Sequence, residues 1–355
     1  MTKIDLSNFN FQGYQVQAVK ELVWELLAAM EGALSFVTTF DNIKVDTEVG
    51  FIGEGGLVGR ASQGCEPEAQ DYAVGTRKVK WTPADWEILL HLCYTDITST
   101  IAAFDLKNGL KKPDLTDSDY VDAIVTALHR SIEKFLWRFI WFMDTDAANI
   151  ADGGVITAGV DVNYFNLIDG LWKQIFAQAT AQASQHVAIA ANSEATKALQ
   201  DSELDPEDVK ALLESMTYKA PIVLRQQTDK VIYVTQSIYD AYQKSLSDVK
   251  QAALESREEN FINGMPALRV NGWPVIAMPM WDEIIRAYED NGTTFNKPHR
   301  ALATTPKILG VGFDKVGDFD ALDIWYDRDT RKVKIEGMGN GDAKLLDPKL
   351  LIVAY

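Results

Sequence analysis

The residues able to do chemistry are few and far apart in this chain. Its four histidines, His91, His129, His186 and His299, form no HExxH pair and no other zinc spacing. Each is read as a packing or surface residue. Gly53-Glu54-Gly55-Gly56-Leu57-Val58-Gly59 has the glycine content of a phosphate-cradling loop but neither GxGxxG nor GxxxxGK[ST] spacing. No helix pattern follows it to offer backbone N–H groups to an anion, so it reads as the tip of a hairpin. Asp318, Asp320 and Asp323 are spaced to face a hard cation, but the run lacks the glycine and distal glutamate of a calcium loop. Turn residues in water account for them. There is no GxSxG nucleophile elbow. The expectation is no catalytic, cofactor-binding or metal-binding residues, and no cofactor.

With no site to position, the elements themselves carry the information. Val16, Val19, Val23, Leu26, Leu27 and Met30 recur at helical spacing, which predicts a helix over 14–30. This helix packs either on its own core or on a neighbouring subunit. Between Asn42 and Lys80 the chain is rich in Gly, Glu and Gln, with alternating pieces at Ile43–Asp46 and Val74–Trp81. Two strands joined by a long polar tip fit this pattern. A ribbon with so little apolar surface is marginal alone in water, so a surface outside the subunit is expected to hold it.

A long helix follows. Leu115-Thr116-Asp117-Ser118-Asp119 supplies capping oxygens and early carboxylates. Val121, Ile124, Val125, Leu128, Ile132, Phe135, Leu136, Phe139 and Met143 then form one apolar stripe, widened by Trp137 and Trp141. Gly153-Gly154 ends the pattern. Beyond it helices are expected at 164–178, 205–216, 237–254 and 281–288. Strands are expected at 230–235, 267–270, 273–276, 308–313, 324–326, 332–335 and 350–353. Asn271-Gly272 is the strongest hairpin signal in the chain.

The bulk composition agrees with a folded protein of about two domains: 355 residues, 47% hydrophobic and 24% charged. Cys65 and Cys93 form no CxxC pair, which fits a reducing compartment. The first residues have no secretory h-region, so the Asn291-Gly292-Thr293 sequon carries no meaning. The apolar run 135–143 contains Arg138 and is too short to span a bilayer. A net charge of −17 repels phosphate and argues against a primary role in gripping nucleic acid.

The order of pieces resembles the major capsid proteins of tailed bacteriophages, the fold named after the Hong Kong ninety-seven phage. The local likeness is concentrated between Val231 and Gly312, in Val231–Tyr239, Val270-Asn271-Gly272-Trp273-Pro274-Val275-Ile276, Pro279-Met280-Trp281-Asp282, Pro298–Thr305 and Leu309–Asp314. The resemblance implies an α+β fold with an N-terminal arm at 1–39 and an extended loop at 40–80. It implies a peripheral domain of 81–160 and 320–355, with a spine helix at 117–144, and an α/β axial domain at 161–319. It further implies a structural protein and not an enzyme, assembling in the bacterial host cytoplasm into pentamers and hexamers of an icosahedral head around double-stranded DNA. Its partners would be itself, a portal, a separate scaffolding protein or none, and DNA contacted weakly on the inner surface. No scaffolding segment is expected before the arm helix. Some relatives weld subunits by a lysine–asparagine isopeptide bond; Lys78, Lys80 and Asn340 have the right types, but no matching motif places them, so none is expected. Two alternatives stand beside this reading: an encapsulin-type bacterial shell, and an α/β enzyme whose site is not legible.

Overall fold

The computed structural model describes residues 32–44, 47–55, 74–93, 131–246, 261–262, 265–314, 323–327 and 332–355. The expected arm helix, the hairpin tip beyond Gly55, and the long helix before residue 131 lie outside these. So do Cys65, His129, Asp318 and Asp320.

The strands in chain order are β1 (Thr38–Asp41), β2 (Glu48–Gly55), β3 (Val74–Lys80), β4 (Ala84–Cys93) and β5 (His186–Val187). There follow β6 (Val231–Val234), β7 (Phe261–Ile262), β8 (Met265–Val270), β9 (Trp273–Ala277) and β10 (Ala301–Thr304). The last are β11 (Leu309–Phe313), β12 (Asp323–Asp327), β13 (Lys332–Leu345) and β14 (Ile352–Ala354). The main helices are α1 (131–141), α2 (Leu171–Ala181), α3 (Pro206–Lys219), α4 (Gln236–Ser245) and α5 (Pro279–Tyr288). The class is mixed α+β, as expected.

Two sheets organise these elements. In one, β1, β11, β13 and β12 follow in that order and β4 pairs along the other edge of β13. The other runs β5-β14-β10-β6-β9-β8-β7. Strand β11 falls in the segment expected to be axial, yet it pairs in the five-stranded sheet. Strand β14 falls in the segment expected to be peripheral, yet it sits in the seven-stranded sheet. Sequence segments and sheets therefore do not coincide.

Helix α1 lies in the core that both sheets share. Ile132, Leu136, Trp137, Phe139, Ile140 and Trp141 belong to one cluster of buried residues with Tyr233 of β6, Ile276 of β9, Val311 of β11 and Ala343 of β13. Trp141 meets Trp172 of α2 and Trp281 of α5 with ring centroids 6.0 and 4.7 Å apart, and Tyr233 closes the group at 6.4 Å. Tilted and edge-on pairs of this kind add to the burial energy of the rings. The far face of the seven-stranded sheet is covered by α3 and α4 through Leu213, Met216, Ile238 and Tyr242.

Several elements form for reasons visible in their ends. Asp205 accepts hydrogen bonds from the N–H groups of Glu207 and Asp208, with Pro206 in the first turn, and α3 starts there as expected. Asn271 and Gly272 both have positive φ, 48° and 81°, the geometry of a type I′ turn between β8 and β9. Helix α2 begins at 171 and not at 164; its N-cap Gly170 is extended and pressed against the chain at Met143. A Cβ there would lie 2.8 Å from the Met143 nitrogen. Residues 43–44 form no strand; β2 begins at Glu48 and takes in Gly53 and Gly55, which were expected in the tip.

Candidate assembly surface

The hairpin β2–β3 pairs with no other described strand. Its register runs from Glu48 opposite Lys80 to Ile52 opposite Thr76, then shifts before Gly55 meets Val74. Lys78 and Glu48 form a 2.5 Å ion pair across it. Both side chains are largely in water, so the pair adds little.

The base of the hairpin is held much more firmly than its length. Trp81 is fully buried with Ile43 and Leu346, and the Phe40 ring lies 5.5 Å from it. Ile43 seats on Gly312, where a Cβ would come within 2.7 Å of its side chain. The Thr82 N–H donates to Asp342 Oδ2 at 2.7 Å. Burial pushes the Asp342 carboxyl above its ordinary value, and Lys344, 3.3 Å away, pulls against that shift. The chain leaving the hairpin is thus tied to β13 by a buried acid.

Beside this root, β4 and β13 present two different faces. Trp86 turns inward onto Phe135 of α1, at 5.5 Å between rings. Leu89 and Met338 point the other way and are 61% and 59% exposed. Asn340 Nδ2 donates to Asp85 Oδ1 at 2.6 Å.

The residues singled out for chemistry are not brought together. His91 lies exposed on β4, and His186 stacks on Tyr355 with centroids 4.1 Å apart. His299 is buried: its Nδ1 meets Ser237 Oγ at 2.6 Å and its Nε2 meets the Gln200 carbonyl at 2.8 Å. Burial lowers its pKa. Both ring nitrogens are engaged, so this serine–histidine contact ties three segments together and leaves no nitrogen for a substrate. Asp323 stands at the start of β12. Among the described residues no group of three His, Cys, Asp or Glu side chains could hold a metal ion. A cavity of about 400 Å³ is walled mainly by Asn192, Asn291, Thr294, Asn296, Glu289 and Lys297. Ile150, Val155 and Phe295 complete a lining of mixed polar and apolar character. No helix among the described residues is long and apolar enough to cross a membrane.

Sequence reasoning missed one buried charge and two partly buried cations, whose contacts serve the fold. Arg300 is fully buried, pairs with Glu289, and lies over the rings of Phe142, Trp172 and Phe176. Lys173 gathers Asp144, Asp146 and Asp169 at 2.6, 2.7 and 2.8 Å. Burial alone would lower the Lys173 pKa, but the three carboxylates outweigh it and raise it. Lys297 sits 4.0 Å from the centroids of both Phe176 and Tyr355. Burial brings its pKa down to about 8. Asp169 and Lys173 have the i,i+4 spacing of a helix-face ion pair, a sign that was available in the sequence; the spacing of the others gives none.

No protein-family model matches the chain. No curated protein matches it by sequence. Solved structures do match by shape. A chain of the satellite phage P4 procapsid, solved with its size determination (Sid) protein, superposes with a TM-score of 0.50. It covers 93% of this chain and 97% of its own length at 13% identity. A chain from Gordonia phage Cozz gives the same TM-score over 91% of this chain and 85% of its own, at 12% identity. The chain has the phage major capsid protein fold that its sequence resembles.

Proposed function

We propose that the chain is the major capsid protein of a tailed bacteriophage, assembling into pentamers and hexamers of an icosahedral head that encloses double-stranded DNA. The observation that carries this reading, beyond the fold, is the hairpin β2–β3. It is rooted on Trp81 and Asp342 and pairs with no other described strand. A ribbon built this way is stable when a second surface covers it. The extended loop is residues 40–80, α1 is the end of the spine helix, and the seven-stranded sheet with α3 and α4 is the centre of the axial domain. Five- and six-fold rings, a portal, a separate scaffold and weakly held DNA complete the assembly, in a virion formed in the host cytoplasm. The role is structural, not catalytic.

The test replaces residues 46–78 with a short Gly-Ser linker. Glu48, just inside the removed segment, pairs with Lys80, just beyond it, so the cut ends lie near each other and a short linker can span them; a shorter loop also slightly lowers the closure entropy. The parent should form closed particles in electron micrographs. The variant should keep its circular dichroism and cooperative melting yet form none, because a weak contact repeated around a shell is decisive through multivalency. Normal assembly of the variant, or a parent that stays monomeric at all salt and protein concentrations, overturns the reading.

A further inference from the structure

Helix α3 carries opposite chemistry at its two ends. Five of the eight residues 201–208 are Asp or Glu, and none is Lys or Arg. Arg286 and Lys244 pair with Asp201 and Glu203, and Lys210 reaches Glu207 only at 3.4 Å. Asp208 has no ion pair among the described residues. Leu199 stands next to this acidic corner, 48% exposed.

At the other end, residues 215–228 contain Lys219 and Arg225 and no acid. Neither cation has a carboxylate partner among the described residues; Arg225 spends its Nε on the Ala220 carbonyl. Tyr218, Ile222 and Val223 are 65%, 71% and 55% exposed in the same short stretch.

Acids at a helix start and cations at its end also complement the helix dipole. That accounts for the charges but leaves three large apolar side chains in water at one corner and a leucine at the other. Grouped apolar exposure rimmed by charge marks an interaction surface. The two corners complement each other in charge and in apolar content. They cannot meet within one chain, because the 14 residues of α3 hold them roughly 20 Å apart.

We infer that the basic, apolar corner around Ile222 and Val223 binds the acidic corner around Leu199 and Asp208 of a second copy of this chain. The contact joins two different patches, so it is heterologous: it propagates head to tail and closes into a ring when the rotation allows. The inference rests on the shell reading above and assigns one of its contacts. Opposite charges set the register and the rate of encounter, while the apolar groups supply the attraction.

The experiment uses the full chain with Cys65→Ser and Cys93→Ser as background. Copies carrying Tyr218→Cys are co-assembled with copies carrying Leu199→Cys, and the particles are oxidised mildly. A disulfide-linked dimer on a non-reducing gel is expected from the mixture and from neither variant alone. In parallel, Lys219→Glu with Arg225→Glu should cut particle yield roughly tenfold or more, through like-charge contact across the joint. Mixing those copies with Glu207→Lys/Asp208→Lys copies should restore it in part. All four changed side chains are exposed, and circular dichroism verifies that each variant folds. Closed particles without the disulfide, or full assembly of the double-glutamate variant, overturn this inference and leave the shell reading standing. Absence of particles from the parent chain removes both.

Discussion

Gly339→Ala is expected to destabilise the subunit while Gly50→Ala does not, although both glycines lie in strands. Gly339 stands directly opposite Trp86 in the β4–β13 pairing. A Cβ on Gly339 would lie 2.3, 2.6 and 3.0 Å from three atoms of the Trp86 ring. An ordinary contact begins near 3.4 Å, so the ring must retreat by about 1 Å. Trp86 is 5% exposed and backed by Phe135, which leaves little room for retreat. Overpacking of this kind costs about 1–3 kcal/mol. Alanine also narrows the unfolded ensemble, which offsets about 0.4–1 kcal/mol. The net loss is on the order of 1–2 kcal/mol, or a fall of about 1–3 °C in melting temperature for a chain of this size. At Gly50 no atom lies within 4 Å of the added Cβ, so only the unfolded-state term remains. The assay is thermal melting of unassembled subunits, with Trp86→Leu and the double variant completing a cycle. Since leucine removes the ring, the two substitutions should couple by at least about 0.5 kcal/mol. Equal melting of the Gly339 and Gly50 variants, or an additive cycle, would refute the packing argument.

Ile140→Asp should cost several kcal/mol in chemical denaturation, because it places a carboxylate at a fully buried position near the C-terminal end of α1; a variant as stable as the parent would show that this face is assigned wrongly. Burial holds the Asp282 carboxyl up to about 6 against the N–H of Gln236. A carboxyl raised on folding contributes stability that is full below its unfolded pKa and lost as pH rises through about 6. Asp282→Asn should therefore flatten the fall in melting temperature between about pH 4 and 6, and an unchanged profile would remove the group from consideration. Purified particles should run as single subunits on denaturing gels, since Lys78 is paired with Glu48 and the Asn340 amide is engaged by Asp85; a ladder of covalent oligomers would contradict this.

What the sequence made legible were the features encoded by local rules. Asp205-Pro206 opened α3 and Asn271-Gly272 turned β8 into β9, because caps and tight turns depend on a few adjacent residues. The stripe from Ile132 to Met143 identified α1 as buried on more than one side, as its place in the core shared by two sheets requires. Elements whose reason is distant were missed. Strand β1 is short and exists through its parallel pairing with β11. Strand β4 has apolar residues on both faces at Leu89 and Leu90, so it lacks clean alternation. Of the candidate surface, the hairpin was visible in composition, but its fixed root was not. Asp342 and Thr82 are 260 positions apart, and neither type announces the contact.

The placement of β14 has a consequence for the time at which the subunit becomes whole. It lies between β5 and β10, so the seven-stranded sheet has a gap until residues 352–354 have been made. In the other sheet β1 waits for β11, and Thr38 bonds to the Pro306 carbonyl 268 positions later. Closing such distant pairs before they are rewarded is slow, and a nascent chain holds unpaired edges until then. Folding of this topology therefore waits on the meeting of segments far apart in the chain. The unfinished chain, with open strands on a polysome crowded with identical copies, is the form most exposed to premature pairing with its own kind.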